Sequence, residues 1–227
     1  MMIPIVFQNS DFVVVNKPAG LNFHTETSPG LVVLVQQQLG LKEIYPVHRL
    51  DKMTSGLLIL ALNKKSAQAF QKLFESHQVE KFYIAISDQK PKKKQGWVKG
   101  GMVPARRGSW KLTKSNHNPA ITQFISESIK PGERLFLLKP KTGKTHQLRV
   151  AMKSLSAAIC GDKRYADSQK AALEERGYLH AFAIRFSLYG HEFEFVVLPD
   201  SGCRFMQDKC QEILQTWQSP WQLIKDR

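Results

Sequence analysis

Residues 46–62 read PVHRLDKMTSGLLILAL, and the second half of this stretch decides the fold. Residues 57–62 are apolar without interruption and directly follow Gly56. A short run rich in leucine and isoleucine behind a glycine is typical of a β-strand that is buried on both faces. The first half would then be an irregular loop that its own strand holds against the core. Catalytic side chains concentrate in loops of this kind.

The loop before this strand carries His48, Arg49, Asp51 and Thr54. Turn chemistry alone also allows a solvated turn in which Asp51 accepts hydrogen bonds from neighbouring backbone groups. The complete pattern, H-R-L-D-x-x-T-S-G with an apolar strand behind it, resembles the signature of the RluA-type pseudouridine synthases. The resemblance implies that Asp51 is the catalytic nucleophile and that the other three residues belong to the substrate-binding set.

The charge of the chain favours a polyanionic partner. Its 227 residues carry a formal net charge of +14, and 42% of them are hydrophobic, which is ordinary for a globular protein with a real core. Nucleic acid is the first candidate, and an anionic membrane surface is the alternative. No apolar stretch reaches the roughly 18 to 20 residues that span a bilayer, and the N-terminus lacks a signal peptide, so we expect a cytoplasmic protein without membrane association.

Neither a metal nor a cofactor is expected. Cys160, Cys203 and Cys210 form no C-x-x-C pair, which argues against a disulfide framework and a zinc site. The chain also lacks a P-loop, a G-x-G-x-x-G fingerprint and an H-E-x-x-H motif.

Residues 11–20 read DFVVVNKPAG, a strand followed by a turn, and resemble the opening D-x-x-V-x-N-K-P-x-G segment of the same family. Lys17 is either an ordinary strand-end residue or part of the site, where it would position the catalytic loop or bind substrate. This segment begins so near residue 1 that we expect no S4-like RNA-binding domain ahead of it. RNA binding must then come from the catalytic domain itself.

Two further segments extend the resemblance. Residues 80–86 read EKFYIAI and match a K-x-Y-x-A element, which implies that Tyr83 lines the uracil pocket, although a strand tyrosine also commonly serves only packing. Residues 142–150 read TGKTHQLRV and match T-G-[RK]-T-H-Q-[LI]-R-V. The resemblance implies that Arg149 pairs with the catalytic aspartate and that Leu148 packs against the target base. Thr145 is predicted to cap the helix that carries both.

Residues 90–114 are the basic segment: they contain nine lysines and arginines and no acidic residue. Glycines and prolines predict an irregular insertion loop, and Trp97 and Trp110 place aromatic rings among the cations. Basic groups pair with phosphates and flat rings stack on unpaired bases, so we expect this loop to contact RNA. The candidate contacts are Lys92, Lys93, Lys94, Arg106 and Arg107. The alternative is a charged loop that only keeps the protein soluble.

The match loosens after the second motif. Ala151, Ser156 and Ala158 depart from the family pattern, whereas Gly161-Asp162 and Tyr165 return to it. We interpret the departures as differences in RNA contacts or local packing, which leave the chemistry intact but bear on the choice of substrate.

Other patterns complete the predicted fold. Ser28-Pro29 predicts a capped helix with proline in its first turn that stops at Gly40. Asn63 predicts a helix cap, and the spacing over 204–217 predicts an amphipathic helix. Residues 179–188 and 193–197 predict a hairpin. These elements indicate the α+β class. The resemblance implies a single domain over 1–227 with a long mixed, mainly antiparallel sheet, flanked by helices and loops, and a central active-site cleft.

The predicted function is RNA pseudouridine synthesis by a monomer acting on a tRNA or rRNA stem-loop. The residues leave open whether Asp51 attacks C1′ of the ribose or C6 of the base. Arg49 would either fill the gap left by the flipped uridine or bind a phosphate. The alternative function is a non-catalytic RNA-binding protein that retains the fold.

Overall fold

The strand predicted behind Gly56 is present in the computed structural model and spans Ser55–Ala61, with all seven residues buried. The structure describes residues 1–26, 28–115 and 117–225. In chain order the strands are β1 (Ile5–Gln8), β2 (Phe12–Lys17), β3 (Tyr45–Pro46), β4 (Ser55–Ala61), β5 (Glu80–Ser87), β6 (Gln95–Pro104), β7 (Trp110–Thr113), β8 (Ala120–Lys130), β9 (Glu133–Pro140), β10 (Leu179–Leu188) and β11 (His191–Val196). The helices are α1 (Leu31–Gln38), α2 (Lys64–Glu75), α3 (Gln147–Ser154), α4 (Ser168–Ala172), α5 (Asp208–Thr216) and α6 (Pro220–Leu223).

The described chain divides into two compact units. The first comprises Met1–Lys81 and His180–Leu198, and the second comprises Phe82–Leu179 and Pro199–Arg227. In the first unit β2 pairs with β1 and β4 in antiparallel fashion, and β3 adds to β4. β10 pairs with β4 in parallel and with β11 as an antiparallel hairpin. The predicted hairpin is therefore confirmed, and its strands belong to a mixed sheet.

The second unit contains an antiparallel sheet in the order β5-β9-β8-β6-β7. Its core includes the alternating or continuous apolar residues of β5 and β9, among them Ile84, Phe136 and Leu137, which are fully buried. Parallel and antiparallel pairs together with separate helices confirm the α+β class and the mixed, mainly antiparallel strand arrangement. None of the helices in the described residues is long and apolar enough to cross a bilayer.

The basic segment is more regular than its glycines indicated. Most of residues 90–114 lie in the β6–β7 hairpin, with a 3-10 turn at Arg106–Gly108 between the strands. A Cβ atom on Gly100 would lie 2.6 Å from the carbonyl oxygen of Thr113, and one on Gly101 would lie 2.7 Å from the Thr113 hydroxyl. These glycines therefore permit the close approach of β7, so the prediction of an irregular loop was wrong.

Helix boundaries were predicted with mixed success. Asn63 caps α2, since its side chain accepts from the backbone N–H of Ser66, as expected. α1 begins after Gly30 rather than at Ser28-Pro29. The N-cap of α3 is His146, in a left-handed conformation with φ 56°, so the prediction for Thr145 was wrong. The C-terminal helix is shorter than predicted, because only Asp208–Thr216 is helical.

Candidate active site

A buried ammonium group holds the loop that carries Asp51. The Lys17 side chain, at the end of β2, is fully buried, and its Nζ donates to the carbonyl oxygens of Pro18 (3.0 Å), Lys52 (3.2 Å) and Thr54 (2.7 Å). The backbone N–H of Thr54 donates in turn to the carbonyl of Asp51 at 3.0 Å. Lys17 therefore positions the loop. The side chain is buried in this structure, and the expectation that it binds substrate stays a prediction.

His48 anchors the other end of the same loop. Its Nε2 accepts the backbone N–H of Ile59 in β4 at 2.9 Å, and its ring stacks on Phe74 of α2. Burial, and secondarily the charge of Lys81, lowers the pKa of His48 to about 3. The ring is thus neutral at physiological pH, as its acceptor role requires. Its contacts with a strand and a helix support the loop, and its expected contact with substrate stays a prediction.

Between these two anchors the chain turns outward. Leu50 is buried and Thr54 is only 2% exposed, whereas Arg49 is exposed and Asp51 is half-buried. Of the four expected site residues in this loop, Arg49 is exposed, His48 and Asp51 are half-buried, and Thr54 is buried. Thr54 contributes a carbonyl group to the scaffold through its bond to Lys17.

The Ser55-Gly56 step joins the loop to β10. The Ser55 hydroxyl lies 2.8 Å from Nδ1 of His180, whose Nε2 lies 2.8 Å from the carbonyl oxygen of Val197. Because a carbonyl can only accept, Nε2 carries hydrogen, and in the neutral ring Nδ1 accepts from the hydroxyl. Gly56 has φ +105°, and a Cβ there would lie 2.3 Å from the carbonyl oxygen of Ala181. Only glycine permits this parallel contact.

Arg149 lies in the first turns of α3 and is almost completely buried. Its Nε and one terminal nitrogen each donate to the Asp162 carboxylate at 2.8 Å, which forms a bidentate ion pair. Asp162 Oδ1 also accepts the backbone N–H groups of Arg164 and Tyr165. The sequence led us to expect Asp51 as the partner of Arg149. The pairing of Arg149 with Asp51 stays a prediction. Within the second unit, Arg149 pairs with Asp162.

Tyr165 completes the surroundings of Arg149. The guanidinium carbon lies 5.0 Å from the centre of the Tyr165 ring, a cation–π contact. The Tyr165 hydroxyl accepts the backbone N–H of Trp110 at 2.9 Å and lies 2.9 Å from Nδ1 of His146. Burial raises the pKa of Tyr165, so the phenol is neutral and keeps its proton for hydrogen bonding.

The remaining expected residues fall into two groups. Tyr83 lies on β5 opposite Leu138 and is half-buried, and Leu148 is buried next to Arg149 on α3. Their contacts with a target base stay predictions. The five candidate RNA contacts of the basic segment are all exposed: Lys92, Lys93, Lys94, Arg106 and Arg107. In the described parts of the chain, no cluster of three or more His, Cys, Asp or Glu side chains could hold a metal ion.

Sequence reasoning did not assign a role to Asp162, Tyr165, Ser55 or His180. Asp162, Tyr165 and Ser55 each lie in a segment that matched the family pattern, namely G-D-x-x-Y or T-S-G. The match was the available signal. It could not reveal that the partners of these side chains lie up to 125 residues away in the chain.

Comparison with known proteins identifies the family. Residues 11–154 match the family model described as RNA pseudouridylate synthase. The chain is 47% identical over 218 residues to an uncharacterized RNA pseudouridine synthase of Haemophilus influenzae, covering 96% of both chains. It is 31% identical over 207 residues to the dual-specificity RNA pseudouridine synthase RluA of Salmonella typhimurium, covering 86% of this chain and 93% of the relative.

A solved structure shows the same fold. The human RNA pseudouridylate synthase domain containing 1 protein superimposes with a TM-score of 0.75 and 25% identity, covering 96% of this chain and 95% of that one. The family model spans more than half of the chain, and the fold and both sequence motifs agree with it. The chain therefore belongs to the RluA-type RNA pseudouridine synthases and is an isomerase that acts on RNA.

Proposed function

We propose that this synthase isomerises a loop uridine in a small structured RNA and that Asp51 is its nucleophile. We expect Arg149 to form an ion pair with Asp51, and we expect Tyr83 to line the uracil pocket. The observation that carries the proposal is the anchoring of the loop on both sides of Asp51. Lys17 binds the carbonyls of Lys52 and Thr54, and His48 binds the backbone of Ile59.

This anchoring favours catalysis over simple binding. A nucleophile accelerates a reaction only when it is held close to the attack geometry, and a loop fixed at both ends restricts the Asp51 backbone before RNA arrives. A protein that merely binds RNA gains nothing from a fixed carboxylate, because that group repels phosphate. A protein that only binds RNA would therefore not need Lys17 and His48 to fix the Asp51 loop.

The reaction is an isomerisation and leaves the composition of the uridine unchanged. The Asp51 carboxylate attacks C1′ or C6, the C1′–N1 bond breaks, and the detached uracil rotates. C5 then bonds to C1′, and the bond between Asp51 and the substrate breaks, which returns the free carboxylate. The proton on C5 is lost to solvent, and N1 gains a proton from solvent. A cation such as Arg149 would hold the carboxylate ionised, since an opposite charge in contact lowers the pKa of an acid by about one to three units.

The uridine must leave its stack before it can react, at a cost of a few kcal/mol. Arg49 belongs to the same anchored loop as Asp51 and is exposed. Its planar cation is suited to occupy the vacated position or to bind a neighbouring phosphate. We propose the first of these roles for Arg49.

The first candidate substrate that we propose is a tRNA arm, and the second is an rRNA hairpin. Loop uridines in such RNAs are poorly stacked, so extrusion costs least there. The Salmonella relative carries the description "dual-specificity" in its name, which is compatible with either RNA. We further propose that the enzyme acts in the cytoplasm as a monomer, and that residues 1–227 work as one catalytic domain with the basic segment as an RNA contact.

The decisive test is Asp51→Asn on RNA labelled with tritium at C5 of uridine. Loss of tritium release with retained RNA binding is the expected result. Asp208→Asn, an exposed carboxylate at the start of α5, is the matched control and should remain active. An active Asp51→Asn enzyme would remove the nucleophile assignment.

Deletion of the gene in its host, followed by mapping of pseudouridines in all stable RNAs, would name the substrate.

A further inference from the structure

One tyrosine connects three parts of the second unit. Tyr165 is 6% exposed. Its hydroxyl accepts the N–H of Trp110, the first residue of β7, and lies within hydrogen-bond distance of His146, the residue that precedes α3. Its ring lies against the guanidinium group of Arg149. Tyr165 thus contacts the basic hairpin, the start of α3 and the arginine expected to act on the nucleophile.

A second connection runs parallel to the first. Arg164 donates from its guanidinium group to the carbonyl oxygen of Gly108, at the tip of the hairpin, at 2.7 Å. Its backbone N–H donates to Asp162, the carboxylate that orients Arg149. The short segment 162–165 is therefore bonded to the hairpin at Gly108 and Trp110, and to Arg149 through Asp162 and Tyr165.

The hairpin tip carries two exposed cations that could bind an anion. Arg106 and Arg107 are exposed, and among the residues that the structure describes neither has an acidic side chain within ion-pair distance. The tip is also internally closed, since the Arg106 carbonyl accepts both the N–H and the hydroxyl of Ser109. A phosphate that binds there would contact a hydrogen-bonded turn rather than a flexible loop.

We propose that Tyr165 is a positioning residue that couples RNA contact at the hairpin tip to the orientation of Arg149. RNA phosphates seated on Arg106 and Arg107 fix the hairpin, and the Tyr165 hydroxyl and Arg164 transmit that position to the Arg149–Asp162 pair. The hairpin then governs the rate of the chemical step as well as affinity. This inference rests on the proposed role of Arg149 in catalysis.

Tyr165→Phe tests the coupling because it keeps the ring against Arg149 and removes both hydroxyl bonds. The single-turnover rate at saturating RNA should fall about tenfold, as expected for the loss of one or two hydrogen bonds, while the Kd for RNA changes less than about threefold. Tyr189→Phe, in the exposed turn between β10 and β11, is the matched control and should retain the wild-type rate.

A double-mutant cycle separates coupling from general loosening. In the wild-type background the pair Arg106→Ala and Arg107→Ala should weaken binding and lower the saturated rate. In the Tyr165→Phe background it should still weaken binding but no longer lower the rate. Multiplicative effects on the rate, or an unchanged rate in Tyr165→Phe, would overturn the proposal.

Two further measurements keep the test decisive. Arg164→Ala removes the second connection at an exposed position, so if Tyr165→Phe does not fold, the same rate loss and the same cycle are expected with Arg164→Ala. An inactive Asp51→Asn enzyme combined with a fully active Tyr165→Phe enzyme would refute only the coupling. An active Asp51→Asn enzyme would instead refute the proposed function.

Discussion

The Nζ atom of Lys17 lies 2.7 Å from the carbonyl oxygen of Thr54, so a buried cation at the end of β2 holds the loop that contains Asp51. Lys17→Met should lower the free energy of unfolding by about 2 to 4 kcal/mol, because buried carbonyl groups lose their donor. Catalytic rate should fall more steeply than RNA affinity. Urea unfolding and single-turnover kinetics would measure both, and a variant with wild-type rate would contradict the positioning role.

Gly56→Ala should disrupt the start of β4. The added Cβ would meet the Ala181 backbone at 2.3 Å, and φ +105° is unfavourable for alanine, so we expect a loss of several kcal/mol of stability. Gly190→Ala is the matched control, because Gly190 has φ +83° but no atom within 4 Å of the added Cβ. It should cost only about 1 to 2 kcal/mol in thermal or urea unfolding, the cost of a left-handed backbone for alanine. Equal losses in both variants would show that steric contact with β10 is unimportant.

Arg149→Met should destabilise the protein by about 3 to 5 kcal/mol, since it leaves the fully buried Asp162 carboxylate without its cation. Adding Asp162→Asn should restore part of that stability, because the buried charge is then gone. Activity should stay low in both variants if Arg149 acts on the nucleophile. A double variant no more stable than Arg149→Met would argue against charge burial as the cause.

Stability should decrease as the pH falls below about 6.5. In the unfolded chain His48 takes up a proton near the ordinary histidine pKa of 6.5, whereas the folded ring resists protonation until about pH 3, so acid favours unfolding over that interval. His48→Gln keeps an acceptor for the Ile59 N–H but cannot take up a proton. Its urea midpoint should therefore fall less than that of the wild type between about pH 7 and pH 5. Parallel pH profiles would refute the assignment.

Replacing Lys92, Lys93 and Lys94 with alanine should weaken RNA binding and lower the slope of log K against log salt by about 2 to 3 units, if each lysine contacts one phosphate. The triple substitution of Lys64, Lys65 and Lys72 on α2 removes the same charge from another exposed surface. It should have little effect. Fluorescence titrations over a range of salt concentrations would compare the two. Equal slopes would indicate only a general effect of net charge.

Elements whose causes are local were predictable from the sequence. The apolar run behind Gly56 forms β4, Asn63 caps α2, and Tyr189-Gly190 closes the β10–β11 hairpin with positive φ at both residues. The α+β class and the family followed from such segments and from their order along the chain. The contacts that determine the helix cap and the hairpin turn lie within a few residues of one another, and β4 was recognisable from the composition of its own segment.

Errors arose where distant chain segments meet. Gly100 and Gly101 indicated irregularity when considered alone, but they accommodate β7 at close range. Thr145 has the chemistry of a cap, yet His146 occupies that position and lies within hydrogen-bond distance of Tyr165. The sequence left open whether Lys17 positions the catalytic loop, and its bonds to three backbone carbonyl groups show that it holds this loop. Each outcome depends on a neighbour that the local sequence does not contain.

The sequence by itself therefore determined which chemical groups are available: the Asp51 loop, the Arg149 helix and a surplus of positive charge. Only the tertiary structure decided how those groups are held. Lys17 with Thr54, Ser55 with His180 and Arg149 with Asp162 become partners because strand pairing and helix packing bring their backbones together. A buried charge or polar group must then bond to whatever donor or acceptor lies beside it, since leaving it unpaired costs more than most single contacts contribute.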